Sequence, residues 1–342
     1  MPAIRKLSSI TVIALFMLAI LSACGNDNSS NSGGTASAPS TIEPSATVPS
    51  SPSSEAQVPE PTTRTVSTLK GDVEIPTHPK RIVALYYHHL LLALGEKPVG
   101  ANLTWWGGSP YLSEAEASII DVGGPPSLEA VAQLDPDLII MNDNNAEDYE
   151  QFAKIAPSVL IPYDGNRSAY GDAELIAELL GKPEAAKKLA ADFEEHAAAA
   201  RAKLDGIINP KAKVAIIRID ANGGQFSVFG DNYGRGGWSI YKGLQLQYPD
   251  KVKEAVIDSG KQILQELSLE QLPDFVADAD YILVSNEGLG LDAIKNNSIW
   301  KSIPAVKANH AIELDGKQYF YFDPISVSGQ LDHIVDMFLN IK

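Results

Sequence analysis

Read by the spacing of apolar and polar positions, the chain falls into three stretches. A twelve-residue apolar run occupies residues 10–21 (ITVIALFMLAIL). Residues 25–63 then carry almost no large apolar side chain, only Ser, Pro, Thr, Gly and Ala with scattered polar positions. From Arg64 onward short apolar runs alternate with amphipathic ones. Residues 65–75 alternate about Lys70-Gly71-Asp72 and predict a hairpin. The run 81–85 (RIVAL) predicts a buried strand, followed by an apolar helix closed at Gly95. Further strands are expected near 98–101, at 137–141 (DLIIM) and at 158–161. Helices are expected at 128–134, near Asp148 and at 172–180. Strands alternating with helices at this spacing imply parallel sheets covered on both faces.

Residues 183–204 (PEAAKKLAADFEEHAAAARAKL) break the alternation. The segment is Ala-rich, opens on Pro at a first-turn position and contains no breaker, which predicts one helix of about 33 Å. After Asn209-Pro210 the strands resume at 214–219 (VAIIRI), 226–229, 263–265, 281–284 (YILV) and 311–314, and a last helix opens at Asp323-Pro324. The expected architecture is α/β: two lobes with mainly parallel sheets, residues 64–181 and 209–342, joined by a single long helix within 182–208.

The first stretch reads as a processing signal. Arg5 and Lys6 precede an apolar run too short to span a bilayer, and Leu21-Ser22-Ala23-Cys24 follows it. This resembles the lipobox of bacterial lipoproteins, in which the cysteine is acylated, typically with palmitate, and becomes the mature N-terminus. The expected division is therefore a signal peptide over 1–23 and, from Cys24, a lipidated Ser/Pro-rich tether over 24–63. The tether is too poor in apolar surface to offset the entropy of ordering it. Cys24 is also the sole cysteine, which excludes an internal disulfide and any cysteine-based metal site. Loss of Arg5 and Lys6 with the leader takes the formal charge from −16 to −18. So acidic a surface opposes nucleic acid and anionic headgroups and leaves the lipid as the membrane contact.

Enzyme motifs are nearly absent. Ser67-Thr68-Leu69-Lys70 matches S-x-x-K of penicillin-recognising serine hydrolases, but it lies in the expected hairpin and lacks the K-T-G and S-D-N partners. His88-His89 are adjacent and point apart, so they do not form a chelating pair, and the other histidines are scattered. No cofactor, no catalytic residue and no direct metal site is expected. The informative segment is residues 231–241 (DNYGRGGWSIY). Its glycines leave the backbone free to present Arg235, with Tyr233, Trp238 and Tyr241 beside it. An arginine among aromatic rings suits a ligand with chelate faces and oxygen acceptors, while a Gly-rich turn whose Arg pairs with a carboxylate is an equal competitor. A second cluster, residues 319–322 (YFYF), supplies Tyr319 and Tyr321. In the first lobe Tyr86, Tyr87, Trp105, Trp106 and Tyr111 fall near strand ends, where open α/β sheets bind ligands; of these Tyr87, Trp105 and Trp106 are taken as cleft candidates. Finally, Ser127-Leu128-Glu129 and Ser268-Leu269-Glu270 each open a helix that leads to a strand. In each, the serine can cap and the glutamate favours the first turn.

The body, about residues 64–342, is similar to ABC-importer solute-binding lipoproteins for ferric siderophores, especially the ferric-hydroxamate-type receptors of Gram-positive bacteria. Four segments carry the resemblance: HPKRIVALYYHHLLLALGEKPVGA, GGPPSLEAVAQLDPDLIIM, YGRGGWSIYKGLQLQYPDKVKEAV and WKSIPAVKANHAIELDGKQYFYFDPIS. It implies the class III periplasmic-binding-protein-like fold and a monomer that hands an iron(III)–siderophore complex to a permease and its ATPase. It further implies that Arg235 contacts the chelate oxygens and that Tyr233 stands where close relatives carry Trp. By the same resemblance Glu129 and Glu270 dock onto permease arginines, and the protein works at the surface of a Gram-positive cell. Cleft loops offering Arg235, Arg167 and Lys242 amid aromatics favour a neutral or weakly anionic hydroxamate or mixed-ligand complex over a trianionic tris-catecholate. Haem or cobalamin in the same fold is the alternative ligand class.

Overall fold

The computed structural model describes residues 62–220 and 223–341. The signal peptide, Cys24 and all but the end of the tether lie outside the described residues. The first strand begins at Thr63, and a hairpin forms from β1 (Thr63–Thr68) and β2 (Gly71–Pro76). Gly71, at φ 101°, makes the turn that a Cβ would strain.

The first lobe is built on β3 (Ile82–Ala84), β4 (Gly100–Ala101), β5 (Ile120–Asp121), β6 (Leu138–Met141) and β7 (Ser158–Leu160), in the order β5-β4-β3-β6-β7. Every pairing is parallel. All residues of β3, β6 and β7 are buried, which is why these strands read as unbroken apolar runs.

The second lobe carries β8 (Val214–Asp220), β9 (Gln225–Phe229), β10 (Ile263–Ser268), β11 (Tyr281–Asn286) and β12 (Ala311–Asp315), in the order β10-β9-β8-β11-β12. β8, β11 and β12 are parallel, but β9 runs antiparallel to both β8 and β10. This sheet is therefore mixed. The connection from Asp220 to Gln225 is far shorter than the dozen or more residues a parallel crossover requires, so β9 must reverse.

The helix Pro183–Lys203 joins the lobes. Its Ala186 enters the core of the first lobe, whereas Phe193, Ala197 and Ala200 enter that of the second. These positions share one face at helical spacing, so a single helix is wedged into both cores. Polar contacts tie the lobes further. Ser109 and Ser326 join hydroxyl to hydroxyl at 2.7 Å, and Tyr321 donates to the Gly107 carbonyl at 3.3 Å. Asn232 Nδ2 donates to the carbonyls of Arg167 at 2.9 Å and Gly165 at 3.3 Å. The last helix, Pro324–Leu339, opens on Asp323, whose carboxylate accepts from the Ser326 N–H at 2.9 Å. No helix among the described residues is long and apolar enough to cross a membrane.

Candidate functional site

A cavity of about 380 Å³ opens between the lobes at the carboxyl ends of the strands. On the first-lobe side β3 ends at Ala84 and the chain turns through Tyr87, which is held at φ 68° ahead of the helix His88–Ala93. That turn sends consecutive tyrosines apart. Tyr86 faces the cavity, meeting the Trp106 ring edge-on at 4.8 Å. Tyr87 is 1% exposed, packs in the core and donates its hydroxyl to the Ile161 carbonyl at 3.3 Å. Tyr87 therefore does not line the cavity; its neighbour does. Trp105 and Trp106 do line it. They follow Asn102, whose side chain accepts from the Trp105 N–H at 3.1 Å. Trp105 lies over Gly124, where a Cβ would come within 2.6 Å of the indole.

On the second-lobe side the segment Gly234-Arg235-Gly236 holds three consecutive left-handed residues, at φ 70°, 55° and 78°. Gly237 follows so close to Gly230 that a Cβ would stand 2.3 Å from its carbonyl oxygen. Arg235 lines the cavity yet is only 5% exposed. A guanidinium that deep requires a counter-charge. Glu287, just beyond β11, supplies it: Nε and Nη2 each donate to one carboxylate oxygen at 2.7 Å. Nη1 donates to the Tyr233 carbonyl at 3.1 Å. Phe320, Phe229 and Tyr233 surround the guanidinium with ring centroids at 4.3, 4.9 and 5.5 Å. Arg235 is thus both a cavity residue and a carboxylate-paired turn arginine. Burial pushes the Glu287 carboxyl upward, but the hydrogen bond from Arg235 and the charges of Arg235 and Arg218 outweigh it, leaving the carboxyl below its usual range.

The structure brings Arg235, Tyr233, Trp105, Trp106 and Tyr321 together around one space. It does not bring Trp238 or Tyr319 there. Trp238 stacks on Tyr170 at 5.7 Å and meets Phe322 at 6.0 Å, and Tyr319 is buried in the second-lobe core. Tyr319 turns inward directly beside the cavity residue Phe320, and Trp238 does so three residues after Arg235. Of the two further cations considered, Arg167 lines the cavity, held to Asp172 at 2.6 Å and donating to the Pro162 carbonyl at 2.6 Å. Lys242 does not; it pairs with Asp231 at 2.7 Å.

Sequence reasoning missed His89, Tyr163, Arg218 and Glu287. His89 lies in the wall with its imidazole pushed down to about 3 by burial and then by the charge of His88, so it is neutral at physiological pH. Arg218 was visible as a charge interrupting the buried run VAIIRI, and Glu287 as a carboxylate directly following a buried strand. Beneath the cavity His88 meets Glu116 at 2.8 Å, and Glu116 accepts the Gly108 N–H at 3.1 Å, supporting the loop that receives Tyr321.

Glu129 and Glu270 are both exposed in the first turns of their helical segments. Their serines differ. Ser127 accepts the Ala130 N–H at 3.2 Å, whereas Ser268 makes no capping bond, which corrects the symmetric capping expected from the sequence. Ser67 sits on exposed β1, bonded to Asp72 at 2.7 Å, while the Lys70 ammonium lies over the Tyr149 ring at 5.5 Å. The S-x-x-K residues are thus engaged elsewhere. No group of three or more His, Cys, Asp or Glu side chains among the described residues is arranged to hold a metal ion.

Comparison with known proteins adds a second line of evidence. The family model described as periplasmic binding protein matches residues 82–318. The chain is 39% identical over 279 residues to the iron(3+)-hydroxamate-binding protein YxeB of Bacillus subtilis (strain 168), covering 81% of this chain and 85% of that protein. It is 34% identical over 327 residues to the iron(3+)-hydroxamate-binding protein FhuD of the same strain, covering 94% and 95%. Its fold matches the crystal structure of a FhuD fold-family periplasmic binding protein component of a Fep/Fec-like ferrichrome ABC transporter from B. subtilis. That match has a TM-score of 0.69 and 32% identity, covering 81% of this chain and 100% of the other.

Proposed function

The chain belongs to the periplasmic-binding-protein family, and from that premise we propose that it captures a ferric siderophore of hydroxamate or mixed-ligand type for an ABC importer. The observation that carries this reading is the interlobe cavity itself, where Arg235 stands among aromatic rings with Tyr86, Trp105 and Trp106 opposite. Rings on both walls fit the apolar flanks of a folded chelate. The N–H groups of Arg235 fit its oxygens, each charge-assisted bond contributing about 1.5–3 kcal/mol. The identities to two hydroxamate-binding proteins over most of the chain support the same ligand class.

Titration with ferrichrome and ferrioxamine B, followed by quenching of intrinsic fluorescence, tests the proposal. Arg235→Ala should weaken binding by roughly ten- to a hundredfold. Unchanged affinity would remove Arg235 from the site, and failure of the parent protein to bind either chelate would sink the siderophore reading. A Soret shift on titration with haem, or binding of cobalamin, would redirect the ligand class.

In this reading Cys24 carries the lipid, residues 24–63 act as a tether, and the body works as a monomer outside the membrane without catalytic activity. Metabolic labelling with a palmitate analogue should mark the parent protein and not Cys24→Ala. Glu129 and Glu270, exposed on the two lobes, are the proposed contacts with the permease. The double alanine variant should bind ligand normally yet fail in uptake, and normal uptake would leave Glu129 and Glu270 without that role.

A further inference from the structure

Three guanidinium groups line the cavity, and each is matched by a carboxylate. Arg167 is held by Asp172. Arg218 gives Nε to Asp220 at 2.6 Å and reaches Glu287 through Nη1 at 3.2 Å. Arg235 gives two bonds to that same Glu287. Ser285 adds a hydroxyl at 3.0 Å, so the Glu287 carboxylate accepts four donors, about as many as its two oxygens can take. A carboxylate filled in this way is a fixed negative charge directly behind the cavity wall, held against the two lining guanidinium groups. Phe229 packs against both guanidinium groups, with Arg218 at 5.7 Å and Arg235 at 4.9 Å from its centroid, covering one side of the cluster.

The charge balance of the Arg218–Arg235 cluster turns on Glu287. Arg218 and Arg235 against Asp220 alone would leave one net positive charge; with Glu287 the cluster is neutral. Arg235 nevertheless keeps donors to spare. Of its five N–H groups three are used, leaving one on each terminal nitrogen. The wall can therefore hydrogen-bond chelate oxygens without attracting net negative charge. Resting on the siderophore reading of the cavity, we propose that Glu287 is the specificity-determining residue that reserves the site for neutral and cationic ferric chelates and excludes polyanionic ones. The acidic body of the protein, with 43 acidic side chains in the chain, acts in the same direction.

Three probes of similar size and different charge test this: neutral ferrichrome, cationic ferrioxamine B and trianionic ferric enterobactin. Dissociation constants are measured by fluorescence quenching at low salt for the parent, Glu287→Gln and Arg218→Gln, and expressed as ratios to ferrichrome. A shift on the order of threefold per unit of ligand charge is expected for a charge placed directly behind such a wall. Glu287→Gln should then improve ferric enterobactin relative to ferrichrome by roughly thirtyfold and weaken ferrioxamine B by roughly threefold. Arg218→Gln should move both ratios the opposite way, and it keeps the test open if the glutamine variant folds poorly. Ratios that stay constant in Glu287→Gln, or that move in the same direction in both variants, overturn the proposal. Absence of any hydroxamate binding by the parent would instead overturn the siderophore reading beneath it.

Discussion

Gly234 and Gly206 have almost the same backbone, at φ 70° and 73°, but opposite surroundings. Nothing lies within 4 Å of where a Cβ would stand on Gly206, just past the linking helix. On Gly234 that atom would fall 2.2 Å from the Phe320 carbonyl oxygen and 3.2 Å from its carbonyl carbon. Alanine at either position meets the left-handed penalty, about 1–2 kcal/mol. At Gly234 it must in addition push two backbone segments about 1 Å apart, and overpacking of this kind costs a further ~1–3 kcal/mol. Gly234→Ala should therefore destabilise the protein by about 2–5 kcal/mol and Gly206→Ala by about 1–2 kcal/mol. Urea unfolding with a shared m-value reads the difference directly. The displaced segment carries Phe320 and Tyr321 on one side and Arg235 on the other, all of them in the cavity wall. Gly234→Ala should accordingly weaken binding of ferrichrome as well, while Gly206→Ala leaves it unaltered. Equal destabilisation of the two variants, within about 0.5 kcal/mol, would refute the packing argument and leave backbone conformation as the whole cost.

Two further outcomes separate features that look alike in the sequence. Ser127→Ala should cost about 1 kcal/mol through loss of the Ala130 cap, whereas Ser268→Ala should cost close to nothing, both read from unfolding midpoints. The hydrogen bond from Arg235 and the neighbouring charges outweigh burial and hold Glu287 below its usual value, so the folded state binds that proton less readily than the unfolded chain. Its contribution is then fully present above the unfolded value of about 4.3 and lost as pH falls through the folded one. The stability difference between the parent and Glu287→Gln should stay constant from about pH 7 to 5 and shrink below about pH 4. A difference that already shrinks between pH 7 and 5 would contradict the depressed carboxyl.

What the sequence revealed and what it hid have physical causes. β3, β6 and β7 were legible because they are buried on both faces, so no alternation blurs the apolar run, whereas the two-residue, exposed β5 was not anticipated. The linking helix was legible because its alanine-rich composition suits one element only. Strand direction in the second lobe needed connection length as well as pattern, and β9 reverses for that reason. Aromatic clusters pointed to the cavity segments but not to which ring in each faces it. Tyr86 and Tyr87, Tyr233 and Trp238, and Tyr319 and Tyr321 each divide between cavity and core. Which ring faces which way depends on a left-handed turn at Tyr87 or Arg235 that composition does not specify. Arg235 itself was legible from its glycines, but its partner lies 52 residues away.

That separation matters for how the site works. A wedged helix and hydrogen bonds from Ser326, Tyr321 and Asn232 tie the lobes at several points, which leaves little room for discrimination by wide closure. Selectivity then has to reside in walls that are already formed. In this cavity the apolar part of the wall comes from both lobes, but the guanidinium–carboxylate cluster of the second lobe is assembled from three separate segments: Arg218 within β8, Arg235 in the glycine turn and Glu287 after β11. Segments so far apart are brought into register by the sheet, since β8 and β11 pair directly, from Tyr281 with Val214 to Ser285 with Arg218. The sheet thus fixes Ser285 beside Arg218, and Glu287 two residues on reaches both guanidinium groups. A slip of one residue in that pairing would turn Arg218 to the other face of the sheet and leave Arg235 sharing Glu287 with nothing. The charge of the cavity is therefore a property of strand register as much as of residue identity, which is why no local motif announces it.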